Sequence, residues 1–140
     1  MLIRFYIPLM IFATTIISCN SRTAIVLTNK SNVSRSIRVT YPSNLILPNK
    51  KDSLQGWDLT NTEHMTISKE RYRYGLKIPI SSDTTGSVFF FDLKPKHEVT
   101  LLWQPKPISF STIKKILITA GSDTLDHSKG TGVWYYMIKD

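Results

Sequence analysis

The chain has 140 residues, 18 of them basic and 10 acidic, with a formal net charge of +8, a hydrophobic fraction of 41% and an aromatic fraction of 11%. This length gives room for one domain, and the composition excludes a disordered chain. A single cysteine excludes an intramolecular disulfide, so the fold must depend on its hydrophobic core. The basic balance favours anionic or acidic partners, and charge that serves only solubility is the plainer interpretation.

The first 18 residues have the pattern of a cleaved export signal. A lone Arg4 precedes an apolar run over residues 5–17, and the small residue Ser18 follows it. A membrane-spanning helix needs about 20 apolar residues, whereas the apolar region of a signal peptide needs about 7 to 15. The run therefore favours a cleaved signal. An ordinary secretory signal and an uncleaved membrane anchor are the alternatives.

The stretch Ile16-Ile17-Ser18-Cys19 resembles the lipobox of bacterial lipoproteins. The resemblance implies cleavage after residue 18, a covalent lipid on Cys19 and a short tether over residues 19–22. It also implies that the only thiol is consumed, which excludes cysteine catalysis, thiol redox chemistry and cysteine-ligated metal sites. Asn20 stands where an aspartate would favour the inner membrane, and no acidic cluster follows it. The resemblance therefore implies the outer membrane, with the domain facing the periplasm.

Two strands are predicted directly after this tether. Residues 23–28 are rich in β-branched and aliphatic side chains, and residues 36–41 alternate between apolar and polar. The turn residues 29–32 lie between them, so the pair is predicted to form an opening hairpin. Residues 42–58 are predicted to be a long connection. Leu45 and Leu47 are expected to contact the core from this connection, and Trp57 is expected to lie in the core or at its rim.

The clearest alternation covers residues 72–80, which predict a strand with one solvent-exposed face. Pro79 places this strand at a sheet edge. Residues 87–93 are apolar on both faces, and residues 98–103 predict a strand with Val99, Leu101 and Trp103 on one face. Residues 112–119 favour a strand because of their β-branched side chains, with a short helix through Ile113 as the alternative.

The last predicted strand covers residues 133–138, which brings the total to about seven strands with no convincing amphipathic helix. This pattern predicts an all-β fold, a single antiparallel β-sandwich over residues 23–140. Segment 89–101 resembles the F-x-L-x-P-x-x-E-V-x-L hairpin of immunoglobulin-like and transthyretin-like envelope domains. Three triplets that begin at Asp52, Asp83 and Asp123, all in predicted loops, resemble the O-glycosylation sites of Bacteroidota proteins.

The sequence contains no pattern that is typical of a catalytic or metal site. His64, His97 and His127 are far apart, and Asp123 and Asp126 near His127 are better explained as turn residues. The sequence therefore predicts a protein that is not an enzyme, with no catalytic residue, no metal and no cofactor other than the lipid. Nucleic acid is excluded as a partner if the protein is exported.

The predicted partner-binding residues are Arg71, Arg73, Lys77 and Tyr135. The first three project from one face of one predicted strand, and Tyr135 with Met137 would add an aromatic patch if both face outward. The expected function is an outer-membrane lipoprotein that docks an envelope protein, with an anionic glycan or lipid as a further partner. An accessory role in a trans-envelope machine such as type VI secretion is its most concrete form. The alternative is glycan or peptidoglycan binding through an exposed tryptophan pair.

Overall fold

The chain folds into two β-sheets packed face to face around one core. The computed structural model describes residues 22–45, 52–60, 75–130 and 132–140. One sheet has six strands in the order β10-β11-β1-β7-β3-β4, and the other has five in the order β5-β6-β2-β8-β9. The strands are β1 (Thr23–Asn29), β2 (Arg35–Thr40), β3 (Ser53–Asp58), β4 (Leu76–Pro79), β5 (Ser81–Ser82), β6 (Val88–Leu93), β7 (His97–Gln104), β8 (Leu117–Ala120), β9 (Asp123–Thr124), β10 (His127–Lys129) and β11 (Val133–Ile138), and a short helix, α1 (Phe110–Lys114), lies between β7 and β8.

The predicted all-β sandwich is confirmed, with two differences. Four further strands, β3, β5, β9 and β10, lie in stretches that the sequence predicted as connections or turns. The sheets are also not purely antiparallel, because β1 pairs with β11 in parallel, with Ala24 opposite Val133. Parallel neighbours need a long crossover connection, and here almost the whole domain lies between the two strands. Pro79 lies in β4 at the edge of its sheet, as predicted.

The predicted opening hairpin is wrong, because β1 and β2 lie in different sheets. The chain turns at Asn29, whose side chain is fully buried. Its Nδ2 donates to the carbonyl oxygens of Val33 at 2.9 Å and Leu93 at 3.0 Å, and its Oδ1 accepts from the Ser31 backbone at 3.0 Å. These bonds satisfy the buried amide and fix a corner between the sheets.

Segment 89–101 forms a second corner instead of the predicted hairpin. It contains the end of β6 in the five-stranded sheet and the start of β7 in the six-stranded sheet. Lys96 takes a left-handed backbone conformation with φ 58° at the crossing. Its backbone N–H donates to the carbonyl of Asn29 at 2.8 Å, so the two corners are joined. The sandwich is compatible with an immunoglobulin-like domain.

A β-bulge in β7 changes which side chains face the core. Ile25 lies opposite Leu102 and Val26 lies opposite Thr100, so Leu101 is an extra residue on β7. Both leucines are buried, with exposed fractions of 2% and 3%. The alternation shifts by one residue after the bulge, and Trp103 points outward with 47% of its surface exposed. The prediction that Trp103 shares a face with Val99 is therefore wrong.

Residues 110–114 form helix α1, where the sequence favoured a strand. The Ser109 side chain caps the helix by accepting from the backbone N–H of Thr112. Ile113 and Ile116, three residues apart, are both buried in the core. A cap followed by two buried residues at helical spacing overcomes the β preference of the isoleucines.

The stretch predicted as a long connection contains β3, which pairs with β4 and β7. Leu45 packs against the core as predicted, and Leu47 lies outside the described residues. Trp57 is half-buried. A Cβ atom at Gly56 would lie 2.8 Å from the carbonyl oxygen of Glu98, so the strands approach closely there.

Candidate functional site

The outer surface of the six-stranded sheet is the strongest candidate site. The register places Tyr135, Val26 and Thr100 in one row, and Val133, Ala24 and Trp103 in the next row. Paired residues point to the same side of a sheet, and Val26 lies between the buried Ile25 and Leu27, so both rows face away from the core. We call the surface formed by Ala24, Val26, Trp103, Val133, Tyr135 and Met137 the aromatic face.

Three large side chains of the aromatic face are open to solvent. The exposed fractions are 47% for Trp103, 42% for Tyr135 and 38% for Met137. The smaller Ala24, Val26 and Val133 lie between them and are half-buried. Two neighbouring strands therefore contribute an apolar floor with larger side chains on both sides. Such exposed apolar surface is typical of interaction sites.

The Tyr135 ring lies against the hairpin that joins β10 to β11. A Cβ atom added at Gly130 would lie 2.8 Å from the Cε2 atom of Tyr135, so the ring occupies the space that a side chain would need. The Gly130 backbone donates to the Val133 carbonyl at 2.7 Å and closes this hairpin. The backbone at Gly130 therefore restricts the position of the Tyr135 ring in the unbound protein.

A polar border limits the aromatic face on the side of β3 and β4. Thr28 donates from Oγ1 to Oε2 of Glu98 at 3.2 Å, and Glu98 lies opposite Trp57. Farther along, Gln55 lies opposite Lys77 in the edge strand β4. The centre of the surface is therefore apolar and the margin carries charge, which is the usual arrangement at protein interfaces.

Lys77 and Tyr135 share this outer surface but are not neighbours. Both are exposed, and three strands lie between β4 and β11. Four inter-strand spacings correspond to roughly 19 Å. Arg71 and Arg73, the other predicted basic residues, lie outside the described residues, as do Cys19 and His64.

The outer surface of the five-stranded sheet is different. Phe90 is 41% exposed, but the Arg38 guanidinium lies 5.8 Å from its ring centroid. Ser36 donates from Oγ to Oδ1 of Asp92 at 2.8 Å on the same surface. Ser81 and Arg38 lie opposite Phe90, so polar groups surround its ring.

A second aromatic cluster lies inside the sandwich, next to the aromatic face. The His127 ring packs edge-on against Trp134 at 4.9 Å and Tyr136 at 5.8 Å between centroids. Trp134 and Tyr136 are buried, with exposed fractions of 5% and 1%. The Tyr136 hydroxyl has no hydrogen-bond partner among the described residues. Burial, with a smaller contribution from the charge of Asp126, raises the pKa of Tyr136 to about 12.

Two half-buried aspartates stabilise turns. Asp83 accepts from the hydroxyl of Thr85 at 2.8 Å, and this bond lowers the pKa of Asp83. Asp58 accepts from the hydroxyl of Thr60 at 2.6 Å, with the same effect on its pKa. In the described ranges no three His, Cys, Asp or Glu side chains come close enough to hold a metal ion.

The three tryptophans do not form the planar exposed pair that the glycan hypothesis required of them. Trp134 is buried, Trp57 is half-buried and only Trp103 is strongly exposed. Sequence reasoning missed Trp103 as a surface residue because it assumed an unbroken alternation along β7. The adjacent pair Leu101-Leu102 was the available signal for a bulge.

Two of the three triplets that resemble glycosylation sites lie in strands, not in the predicted loops. The first contains Ser53 and Leu54 of β3, and the third contains Thr124 of β9. Leu54 is buried in the core, so the first triplet is partly inaccessible.

Comparison with known protein families, with curated proteins and with solved structures finds no match for this chain. Among the residues that the structure describes, no helix has the length and the apolar character needed to cross a membrane.

Proposed function

We propose that this protein is a lipid-anchored docking protein of a bacterial outer membrane, with its domain in the periplasm. A lipid on Cys19 holds the domain at the membrane, and the aromatic face binds an envelope protein. The observation that supports the binding site best is the exposure of Trp103, Tyr135 and Met137 around a small apolar floor. Type VI secretion remains one predicted setting.

The composition of the aromatic face fits a protein partner. Tyrosine, tryptophan and methionine are enriched at interface cores, where charged side chains are depleted. No charged residue belongs to this surface, whereas Glu98 and Lys77 lie toward its margin. A few aromatic side chains carry most of the binding energy in such interfaces, often about 2 kcal/mol or more each.

The scaffold beneath the aromatic face is rigid. Strand β11 is hydrogen-bonded on both sides, to β10 and to β1, and β1 is likewise held between β11 and β7. Tyr135 and Met137 therefore stand on an interior strand of the sheet. A preorganised surface loses little conformational entropy on binding.

Copurification of the tagged full chain from detergent-solubilised envelopes tests the binding surface. The double variant Tyr135→Glu/Met137→Glu should lower recovery of a stoichiometric protein partner about 30-fold or more, since two apolar contacts become charged. Phe90→Glu, on the opposite outer surface, is the matched control and should leave recovery unchanged. Equal recovery with the double variant and with the wild type would contradict the proposed surface.

Membrane fractionation tests the anchor separately. Cys19→Ala should move the protein from the membrane fraction to the soluble fraction, because the lipid is the proposed cause of membrane attachment. If the Cys19→Ala protein stays in the membrane fraction, the lipid anchor is wrong.

Glycan binding is the second candidate, and a specific observation favours it. Trp103 and Tyr135 are both exposed on one surface, two strands apart, which corresponds to roughly 10 Å between strands. Aromatic rings at the two ends of such a surface can stack on sugar rings. Sedimentation with purified peptidoglycan distinguishes the two candidates. If the ligand is a glycan, the wild-type protein should sediment with peptidoglycan and Trp103→Ala should abolish this sedimentation.

A further inference from the structure

The end of the sandwich where the N-terminal segment enters has a chemistry of its own. Thr23 lies opposite Gln104, and Ala24 donates from its backbone to the Gly132 carbonyl at 3.1 Å. The backbone N–H of Ile108 donates to the Thr23 hydroxyl at 2.9 Å. The start of β1, the end of β7 and the β10–β11 hairpin therefore meet here. We call the side chains Arg22, Lys106, Phe110, Lys114, Lys115, Leu117 and Lys129 the basic end.

Two large apolar side chains of the basic end are open to solvent. Phe110 is 53% exposed and Leu117 is 49% exposed. One side of the Phe110 ring stacks on Trp134, with 5.5 Å between centroids, which fixes the ring in place. Trp103 adds a third exposed side chain at the adjoining edge of the aromatic face.

Basic side chains surround these apolar groups. The Lys114 ammonium lies 5.2 Å from the Phe110 ring centroid, and the Lys129 ammonium lies 5.4 Å from that of Trp134. All five basic residues of this end are exposed. Asp52, Asp83 and Asp126 are the acidic residues nearest to them among the described residues, and Asp126 precedes His127, whose ring lies 6.0 Å from that of Phe110. Asp83 already accepts hydrogen bonds within its own turn.

The opposite end of the sandwich does not share this charge. It contains Asp58, Asp92, Glu98 and Asp140 among its lysines. Asn32 there donates to the carboxylate of Asp140. The opposite end also carries five basic residues, Lys30, Arg35, Lys94, Lys96 and Lys139, but its carboxylates offset most of their charge. The net charge is therefore more positive at the basic end, which favours a negatively charged surface there.

We infer that the basic end binds the headgroup region of an anionic phospholipid bilayer. Exposed aromatic and aliphatic side chains enter the headgroup boundary, and lysine ammonium groups contact the lipid phosphates. One basic residue near an anionic membrane strengthens adsorption about fivefold. This combination fits a bilayer better than it fits a protein partner, because lysine is depleted at protein interface cores.

The position of this end agrees with the inference, which uses the proposed lipid on Cys19 only for its location. Three residues separate Cys19 from Thr23, where β1 begins. Four residue steps of extended chain span at most about 14 Å. A lipid at Cys19 would thus hold the basic end against the bilayer, with the strands rising from it and the aromatic face turned sideways.

Amide hydrogen exchange of the full chain on vesicles tests the inference. Phosphatidylcholine vesicles are compared with vesicles that also contain phosphatidylglycerol. The anionic vesicles should slow exchange in residues 105–117 about tenfold, because five basic residues act together, and residues 34–37, toward the opposite end, should be unaffected. Lys114→Glu/Lys115→Glu should abolish the difference, whereas Lys94→Glu/Lys139→Glu at the opposite end should retain it.

Each outcome separates the bilayer contact from the anchor. A chain that stays on both kinds of vesicle with equal exchange in residues 105–117 would keep the anchor and overturn the contact. A chain that binds only the anionic vesicles, through residues 105–117, would support the contact and overturn the anchor. Binding to neither kind of vesicle would overturn both.

Discussion

The two outer surfaces of the sandwich differ in what surrounds their exposed aromatic side chains. On the five-stranded sheet, Phe90 lies beneath Arg38 and among serine and threonine residues. On the six-stranded sheet, Trp103 and Tyr135 lie beside Val26 and Ala24, and no charged side chain of a described residue lies over either ring. A cation therefore covers the exposed ring on one surface, whereas the exposed rings on the other surface are open to solvent.

The contrast does not arise from the core, because both sheets direct leucine, isoleucine and valine inward. It arises from particular side chains, and for Trp103 from the bulge at Leu101 that turns it outward. β-bulges frequently re-aim a side chain near a functional site. The residues that stabilise the fold are therefore distinct from the exposed residues of the aromatic face.

The largest expected effect tests that separation. Leu27→Ala in the core should lower the free energy of unfolding by about 2 to 5 kcal/mol, because Leu27 is fully buried. Tyr135→Ala and Phe90→Ala, one on each outer surface, should each lower it by less than about 1 kcal/mol. Urea denaturation followed by tryptophan fluorescence measures all three. A Tyr135→Ala protein as unstable as Leu27→Ala would mean that Tyr135 is structural.

The next effect concerns Tyr136, which faces the core from the strand that presents Tyr135 outward. Burial raises the pKa of Tyr136 from 10.0 to about 12 in the folded protein, so the folded state keeps a proton that the unfolded state releases. The stabilisation linked to the Tyr136 proton should be fully present below pH 10. The free energy of unfolding should then fall by about 2 to 3 kcal/mol between pH 10 and pH 12. Denaturation curves at several pH values measure this loss. Tyr136→Phe should reduce the slope, and an unchanged slope would contradict the assignment.

Two hydroxyl deletions in the core give smaller effects with opposite signs. The Tyr41 hydroxyl donates to the Leu101 carbonyl at 2.8 Å, so Tyr41→Phe should lower the free energy of unfolding by about 1 to 2 kcal/mol. The Tyr136 hydroxyl has no partner among the described residues, so Tyr136→Phe should raise it by about 1 kcal/mol at neutral pH. Thermal or urea unfolding at pH 7 compares the pair, and equal losses in both variants would show that Tyr136 has a hydrogen-bond partner.

The smallest effect on stability is expected from a substitution at Arg38 that leaves the Phe90 ring as uncovered as the rings of the other outer surface. Arg38→Ala removes the cation over Phe90 and should lower stability by about 0.5 to 1 kcal/mol. Arg38→Lys is the matched control and should retain most of the interaction. Urea unfolding measures both variants, and no loss with Arg38→Ala would mean that water covers Phe90 equally well.

Much of the fold could be predicted because alternation shows which residues face the core. It did so for Ile37 and Val39 in β2. It could not show which strand pairs with which, so the corner at Asn29 was predicted as a hairpin. A buried hydrogen bond from the Asn29 side chain to the Leu93 carbonyl stabilises this corner, and Leu93 lies 64 residues away in the sequence.

The candidate site was predicted less completely than the fold. Tyr135 and Lys77 were predicted as binding residues, and both are exposed. Trp103 was missed because a single extra residue in β7 reverses the faces that follow it. The Leu101-Leu102 pair and the Ser109 cap were local signals for the bulge and for helix α1, but β propensity favoured an unbroken strand at both places.

The most direct test of the docking surface is photo-crosslinking in intact cells. A photoreactive p-benzoylphenylalanine replaces Tyr135 in one full-length protein and Phe90 in another, since both positions are exposed to a similar degree, 42% and 41%. The account predicts a discrete crosslinked protein from position 135 and none from position 90. Crosslinks of equal yield from both positions, or from position 90 alone, would contradict it.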